Sequence, residues 1–208
     1  MKKLLKQINK LKNSEIKKII DLRIKEFKSN SKTNKKIFSE LCFCLLTANF
    51  NAEKAIKIQK TLEKDFCLAC ENKLAEKLKQ QGHRFPNIRA KYIYLCQNKK
   101  RNLKQKLNKF KAGKQTRRWL IKNIKGLGIK ESSHFLRNIG YKDIAIIDFH
   151  IINLLKREKI IKNKPKTLTE KQYKTIEICL QKIAEKANLN LAELDLYLWY
   201  LETGKVLK

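Results

Sequence analysis

The feature that most constrains the fold is a pair of glycines between two segments of helical period. The segment Ile124–Lys130 reads IKGLGIK, and apolar residues recur at helical spacing on both sides of it. Glycine supplies the backbone angles of a tight turn and lets another backbone approach closely. The segment therefore predicts two helices joined by a hairpin at Gly126 and Gly128. A turn whose N–H groups lead into a helix N-terminus is also a natural seat for a phosphate.

The rest of the chain also has helical period, and strand alternation is scarce. The segment Leu4–Leu11 predicts a first helix, and the long apolar run Ile37–Ala48 predicts a helix buried on most sides. We expect a loop around Gly113 and a linker over Ile160–Leu168, where Pro165 interrupts the pattern. The predicted fold class is all-α, with roughly ten or eleven helices.

The charge of the chain points to a polyanionic partner. Its 208 residues include 50 Lys and Arg against 19 Asp and Glu, which gives a net charge of +31. With 42% apolar residues the chain is globular, and such a charge excess favours nucleic acid as the partner. The alternative, an anionic membrane surface, requires a basic amphipathic anchor, a pattern that residues 1–20 share with an ordinary packed helix.

No apolar run has the length of a membrane span, and no long apolar region of a signal peptide follows Met1. We therefore expect an intracellular, cytoplasmic protein with no membrane partner. The six cysteines are then expected to be free thiols. Cys67 and Cys70 have a CxxC spacing but no second pair nearby, and only Cys179 lies near the C-terminus. We predict neither a metal site nor an iron–sulphur cluster.

Two ionisable residues near the hairpin are the candidate catalytic groups. Lys130 lies where the second hairpin helix starts, and the positive end of the helix dipole disfavours a protonated amine there. A neutral amine can attack a sugar carbon and form a Schiff base. Asp148 follows an apolar run and precedes another helix, so it is predicted to be an N-cap that can also face a developing positive charge. Each residue also has an ordinary interpretation, as a solvated lysine and as a simple cap. His134 and His150 are more easily explained as core or supporting residues than as metal ligands.

These segments resemble the helix-hairpin-helix DNA glycosylase superfamily, and within it the archaeal-type 8-oxoguanine DNA glycosylase/lyases. The similar segments are the hairpin GxGxKExSHFLRNxGY (126–141), AIIDxH (145–150), ELDLYLWYLETGKVLK (193–208), LCFCLLTANFNAEKA (41–55) and GHRFPNIRAKYI (82–93). One departure is Phe149, where the family pattern leads us to expect a basic residue. The resemblance covers nearly the whole chain.

The resemblance implies a bifunctional enzyme that excises 8-oxoguanine from double-stranded DNA and nicks the strand by β-elimination. Lys130 would be the Schiff-base nucleophile and Asp148 the essential carboxylate. Gly126 and Gly128 would contact the DNA backbone, and Lys208 would help to distinguish 8-oxoguanine from guanine. The resemblance also implies a monovalent cation at the hairpin carbonyls and no other cofactor, and we expect the chain to act as a monomer.

Because a base inside a duplex must be flipped out, we expect Phe85 or Asn49 to wedge into the gap. Trp199 is expected to stack on the extruded base, although core packing explains it equally well. The resemblance implies a central helical domain of residues 34–140, a second helical domain of residues 1–33 plus 141–208, and a cleft between them. Two alternatives stay open at this point: a glycosylase/lyase for oxidised pyrimidines, and a non-catalytic helix-hairpin-helix DNA-binding protein.

Overall fold

The chain folds into thirteen α-helices and one short 3₁₀ helix, Gln97–Lys99, in a computed structural model that describes residues 1–165 and 167–208. Over these residues there is no β-strand, and the predicted all-α fold class is confirmed. Lys166, within the predicted linker, lies outside the described residues. The helices are α1 Lys2–Lys12, α2 Glu15–Asn30, α3 Asn34–Thr47, α4 Ala52–Leu62, α5 Asp65–Leu68, α6 Glu71–Gln80, α7 Pro86–Cys96, α8 Leu103–Leu107, α9 Gly113–Asn123, α10 Ile129–Asn138, α11 Phe149–Arg157, α12 Glu170–Ala187 and α13 Leu191–Thr203.

Two separate hydrophobic cores hold these helices. The first core lies among α3–α10 and is formed by residues between Ile37 and Ile144. The second core lies among α1, α2 and α11–α13, and is formed by residues 4–27 and 145–198. Leu4 and Ile8 of α1 are fully buried in the second core, so the apolar face of this basic helix is covered by the protein itself. None of the described helices is long and apolar enough to cross a membrane.

Local sequence signals set several helix starts. The side chains of Ser14 and Thr33 accept hydrogen bonds from the backbone N–H groups of Ile16 and Lys36, which caps α2 and α3 as their positions predict. Helix α3 is buried along almost its whole length because it runs through the middle of the first core.

The predicted loop around Gly113 is present as residues 108–112, but Gly113 itself is the first residue of α9. Its N–H donates to Asp143 Oδ2 at 2.8 Å, and a Cβ at this position would lie only 2.4 Å from Asp143 Oδ1. The absence of a Cβ at Gly113 therefore lets the Asp143 carboxylate lie against the start of the helix. Helix α9, the first helix of the hairpin, runs for eleven residues before the turn.

Candidate active site

The hairpin between α9 and α10 turns at Gly126, a position where only glycine fits. Gly126 has φ +91°, and a Cβ there would lie 2.2 Å from Cδ2 of Tyr92. Gly128 has φ −83° and serves instead as the residue before α10. Leu127 is buried between them. Within the described part of the chain, the backbone N–H groups of Gly128, Ile129 and Lys130 have no hydrogen-bond acceptor, so they can receive a phosphate.

Lys130 lies in the first turn of α10, and its side chain is 28% exposed. Its Nζ is 3.6 Å from Glu131 Oε1, an ion pair too long for a strong hydrogen bond. His134 and Arg137 follow at positions i+4 and i+7 and therefore share one face of the helix with Lys130. All three side chains line the same pocket.

Asp148 caps α11, with Oδ1 accepting from the backbone N–H of Ile151 at 3.0 Å. The preceding segment, 144–147, belongs to no helix, so its backbone groups need partners elsewhere. Helix α12 supplies them. The Tyr173 hydroxyl donates to Ala145 O at 2.8 Å and accepts from Ile147 N at 3.2 Å. Asp148 is thus held at the end of a segment fixed by buried polar side chains.

The same buried network supports the helix that carries Lys130. Arg117 of α9 and Glu177 of α12 form a bidentate ion pair at 2.6 and 2.8 Å, and both are almost fully buried. Arg117 Nη1 also donates to Ser133 Oγ of α10 at 3.0 Å, and Ser133 Oγ lies 3.1 Å from the Tyr173 hydroxyl. Glu177 Oε1 accepts in addition from Ala145 N at 3.0 Å. The elements that carry Lys130 and Asp148 are therefore locked to one another.

Lys130 and Asp148 face a pocket of about 780 Å³ between the two cores. This volume is within the range of small-molecule sites and is large enough for a nucleobase with its sugar. One wall comes from residues 47–54 at the α3–α4 junction, together with Gly82 and Arg84. The other wall comes from α11, α13 and the segment after α13, including Phe149, which is 62% exposed.

Of the other predicted site residues, Trp199 and Asn49 line the pocket and Phe85 does not. Trp199 is half-buried, lies edge-on to His150 with ring centroids 4.8 Å apart, and belongs to neither core. Asn49 is exposed at the pocket mouth in the left-handed conformation, with φ 57°. The Phe85 ring lies at the start of α7 beneath Arg84, whose guanidinium carbon is 5.0 Å from the ring centroid.

Lys208 lines the pocket, but its ammonium group is already engaged. Nζ donates to Glu40 Oε1 at 2.7 Å and to Gln59 Oε1 at 2.5 Å, and lies 4.5 Å from the Phe43 ring centroid. The sequence gives no indication of these three partners, which lie about 150 residues or more from Lys208 along the chain. The ammonium group of Lys208 is therefore directed toward Glu40 and Gln59, which do not line this pocket.

Burial governs the ionisation of two further pocket residues. It lowers the pKa of His134 well below 6.5, and the nearby Arg137 and Lys130 act in the same direction. His134 is therefore a neutral imidazole, and its Nδ1 has no partner among the described residues. Burial also raises the pKa of Asp195 to about 6; its ion pair with Arg137 opposes this shift and the charge of Asp148 adds to it.

Sequence reasoning missed Arg137 and Asp195 as pocket residues. The period of α10 could have identified Arg137, because it lies on the Lys130 face at i+7. Asp195 is the one charged residue in the apolar run LDLYLW of α13, a pattern that marks a buried carboxylate with a partner. Among the described residues, no group of three or more His, Cys, Asp or Glu side chains could hold a metal ion.

These features define a class of protein. An all-helical fold, a glycine hairpin with free N–H groups, and an amine and a carboxylate in one pocket between two cores are the properties of helix-hairpin-helix DNA glycosylases. Comparison with known proteins gives the family: a family model described as 8-oxoguanine DNA glycosylase matches residues 20–189. The chain belongs to this family.

Individual relatives are similar over nearly their whole length. The 8-oxoguanine DNA glycosylase/AP lyase of Methanocaldococcus jannaschii is 54% identical over 206 residues, which are 99% of each chain. The protein of the same name from Korarchaeum cryptofilum is 45% identical, over 99% of this chain and 98% of its own. The crystal structure of the M. jannaschii glycosylase/lyase with a 15mer DNA containing 8-oxoguanine has TM-score 0.96, 53% identity and 99% coverage of both chains. The Thermotoga maritima 8-oxoguanine DNA glycosylase structure has TM-score 0.92 and 41% identity, and the match covers 100% of this chain and 99% of that one.

Proposed function

We propose that this protein excises 8-oxoguanine from double-stranded DNA and then cleaves the strand at the resulting abasic site. The observation that carries the proposal is the placement of Lys130 and Asp148 in one pocket beside a hairpin with free N–H groups. The net charge of +31 suits a DNA partner, because Lys and Arg side chains neutralise the phosphates of the backbone. Such contacts do not depend on base sequence. The relatives that are named for both activities support the two-step reaction.

In the proposed chemistry the damaged nucleotide is flipped into the pocket, because its sugar is unreachable inside the duplex. Lys130 Nζ, as the neutral amine, forms a bond to C1′ while the C1′–N9 bond breaks and the base leaves with the electron pair. Opening of the sugar ring then gives a protonated Schiff base between Nζ and C1′. Loss of a C2′ proton breaks the C3′–O3′ bond, which nicks the strand by β-elimination.

Asp148 would act through its charge. As the sugar loses the base it gains positive character, and a fixed carboxylate beside it stabilises that charge without reorganisation. The cap bond to Ile151 and the fixed 144–147 segment keep the carboxylate in place. Trp199 would stack on the extruded base, and Asn49 or Phe85 would fill the gap that it leaves in the duplex.

The hairpin also fits the monovalent cation that the family resemblance implies. Within the described residues, the carbonyl oxygens of Lys125, Gly126 and Leu127 accept no backbone hydrogen bond, so they are free to face an ion. A cation there would lie beside the N–H groups that receive the phosphate and would add to its binding. No step of the Schiff-base chemistry depends on this ion.

The test is borohydride trapping on a duplex that carries one 8-oxoguanine, with wild type and Lys130→Gln compared. Reduction of the Schiff base should give a covalent protein–DNA adduct with the wild type and none with Lys130→Gln. Asp148→Asn is a second variant, because asparagine caps a helix about as well as aspartate and so removes the charge while keeping the fold. The Asp148→Asn variant should still bind the duplex, but it should form the adduct far more slowly than the wild type.

Each alternative function predicts a different result. An adduct on a thymine glycol duplex and none on the 8-oxoguanine duplex would move the substrate to oxidised pyrimidines. Tight DNA binding with no adduct on any lesion or abasic site would leave a non-catalytic binding protein. Identical trapping by wild type and Lys130→Gln would remove Lys130 from the role of nucleophile.

A further inference from the structure

Lys208 separates the large pocket from a smaller cavity behind it. The smaller cavity has a volume of about 220 Å³ and shares Lys208 with the large pocket, whereas Glu40 and Gln59 line only the smaller one. Because Lys208 Nζ donates to both of these side chains, its ammonium group lies on the far side of the pocket wall. The wall itself is then made by the rest of Lys208 and by Leu207.

The two acceptors of Lys208 are themselves fixed. Glu40 is only 5% exposed, and its Oε2 accepts from Asn138 Nδ2 of α10 at 2.9 Å. Gln59 Nε2 donates to Glu40 Oε1 at 3.2 Å and to both Ser39 O and Ser39 Oγ at 3.0 Å. Lys208 is thus held by groups that have no freedom to follow it if it moves.

Lys208 ends a segment that crosses between the two cores. Gly204, with φ +69°, ends α13 and turns the chain. Val206 then packs on the second core, while Lys205 and Lys208 pair with Glu53 of α4 and Glu40 of α3 in the first half of the molecule. The Lys205–Glu53 pair is about half exposed and contributes little, so the buried Lys208–Glu40 pair is the main attachment.

We propose that Glu40, with Gln59, is a positioning residue that supports binding of the extruded 8-oxoguanine in the large pocket by holding Lys208 in its wall. This proposal rests on the proposed function. Removing one partner of a buried ion pair leaves an uncompensated charge, so Lys208 would leave the wall to reach water. The pocket would then lose one side of its contact with the extruded base. Lys130 and Asp148 would stay in place, since the separate Arg117–Glu177 network supports them.

The experiment compares two substrates with the full-length protein. Glu40→Gln keeps the shape of the side chain and removes its charge. Excision of 8-oxoguanine under single-turnover conditions should slow by about tenfold, the effect of losing one charge-assisted hydrogen bond. Cleavage of a preformed abasic site needs Lys130 but no base in the pocket, and should change by no more than about twofold.

The matched control is Glu63→Gln, which removes another carboxylate that lines the small cavity and has no ion pair among the described residues. It should leave both rates unchanged. Glu40→Asp, which keeps the charge, should recover most of the 8-oxoguanine rate. A Glu40→Gln/Lys208→Gln double variant should be no slower than the slower single variant, because both changes act on one contact.

Equal loss of both activities in Glu40→Gln would show a merely structural role and overturn the proposal, as would an unchanged 8-oxoguanine rate.

If circular dichroism shows that Glu40→Gln does not fold, Gln59→Leu is the alternative variant. It removes the second acceptor of Lys208 and keeps the charge of Glu40. It should show a smaller effect on 8-oxoguanine alone, and a loss on both substrates would again overturn the proposal. Failure of the wild type to excise 8-oxoguanine would overturn the proposed function, and this one with it, before any variant is made.

Discussion

Replacing Gly126 by alanine should cost more stability than the same change at a left-handed glycine that has open space around it. Gly126 has φ +91°, and the new Cβ would lie 2.2 Å from Cδ2 and 2.7 Å from Cε2 of Tyr92. Gly204 offers the comparison, because it has φ +69° and nothing within 4 Å of an added Cβ. The two positions share the cost of the backbone angle and differ in the clash.

The magnitudes follow from these two terms. A left-handed alanine costs about 1–2 kcal/mol, and the smaller entropy of its unfolded chain returns about 0.4–1 kcal/mol. Gly204→Ala should therefore lower the free energy of unfolding by about 1 kcal/mol. At Gly126 the Tyr92 ring must also move, and forcing atoms into a packed site adds about 1–3 kcal/mol. The sum for Gly126→Ala is about 2–4 kcal/mol.

The assay is urea denaturation of wild type and both variants, with stability taken from midpoints at unchanged m-value. Gly126→Ala should cost less stability in a Tyr92→Ala background than in the wild type, because the ring that causes the clash is gone. Since the turn carries the free N–H groups, Gly126→Ala should also weaken binding to an abasic-site duplex, whereas Gly204→Ala should not do so by this route. Equal losses of stability in the two glycine variants, or an equal cost of Gly126→Ala with and without Tyr92→Ala, would refute the reasoning.

Three further predictions concern buried charge, pH and metal. Arg117→Met leaves the Glu177 carboxylate buried without its partner, and should lower the free energy of unfolding by about 3–5 kcal/mol in the same urea assay. His134 has a depressed pKa in the folded state, so below about pH 6.5 only the unfolded chain takes up its proton, and stability should fall as pH falls through that value. His134→Gln should reduce this fall by up to about 1.4 kcal/mol per pH unit, measured by unfolding at pH 7.5 and 5.0, and an identical slope in both proteins would contradict it. Because Lys130 and Asp148 suffice for the proposed chemistry, excess EDTA should leave borohydride trapping on an abasic site unchanged, and loss of trapping that Mg²⁺ or Zn²⁺ restores would contradict it.

The parts of the structure that were predictable from sequence are those set by neighbours in the chain. The hairpin turn was predictable because Gly126 and Gly128 separate two periodic segments, and the capping role of Asp148 because an aspartate precedes a helix start. The all-α class followed from the same helical period. The glycine turn, the N-cap and the helical period each depend on residues close together in the chain, so they can be recognised from the sequence alone.

The parts that were not predictable depend on distant partners. Gly113 starts α9 because a carboxylate 30 residues away accepts its N–H, and local signals around it indicate a loop. The Lys208 ammonium group is directed by Glu40, 168 residues away, so no local pattern shows that it lies behind the pocket wall. Phe85 and Asn49 are the two candidates for the residue that wedges into the duplex. Only Asn49 lines the pocket, and which of the two enters the duplex stays a prediction.

The discontinuous second core has a consequence for how this chain folds. The first core comes from one continuous stretch, α3–α10, so it can form as soon as that stretch has left the ribosome. The second core joins α1 and α2 to α11–α13, and Lys12 Nζ donates to Ala187 O across 175 residues. Contacts so far apart in sequence form slowly, because the loop between them must first be closed. Helices α1 and α2 must therefore wait, with their apolar faces uncovered, until the last helices are synthesised.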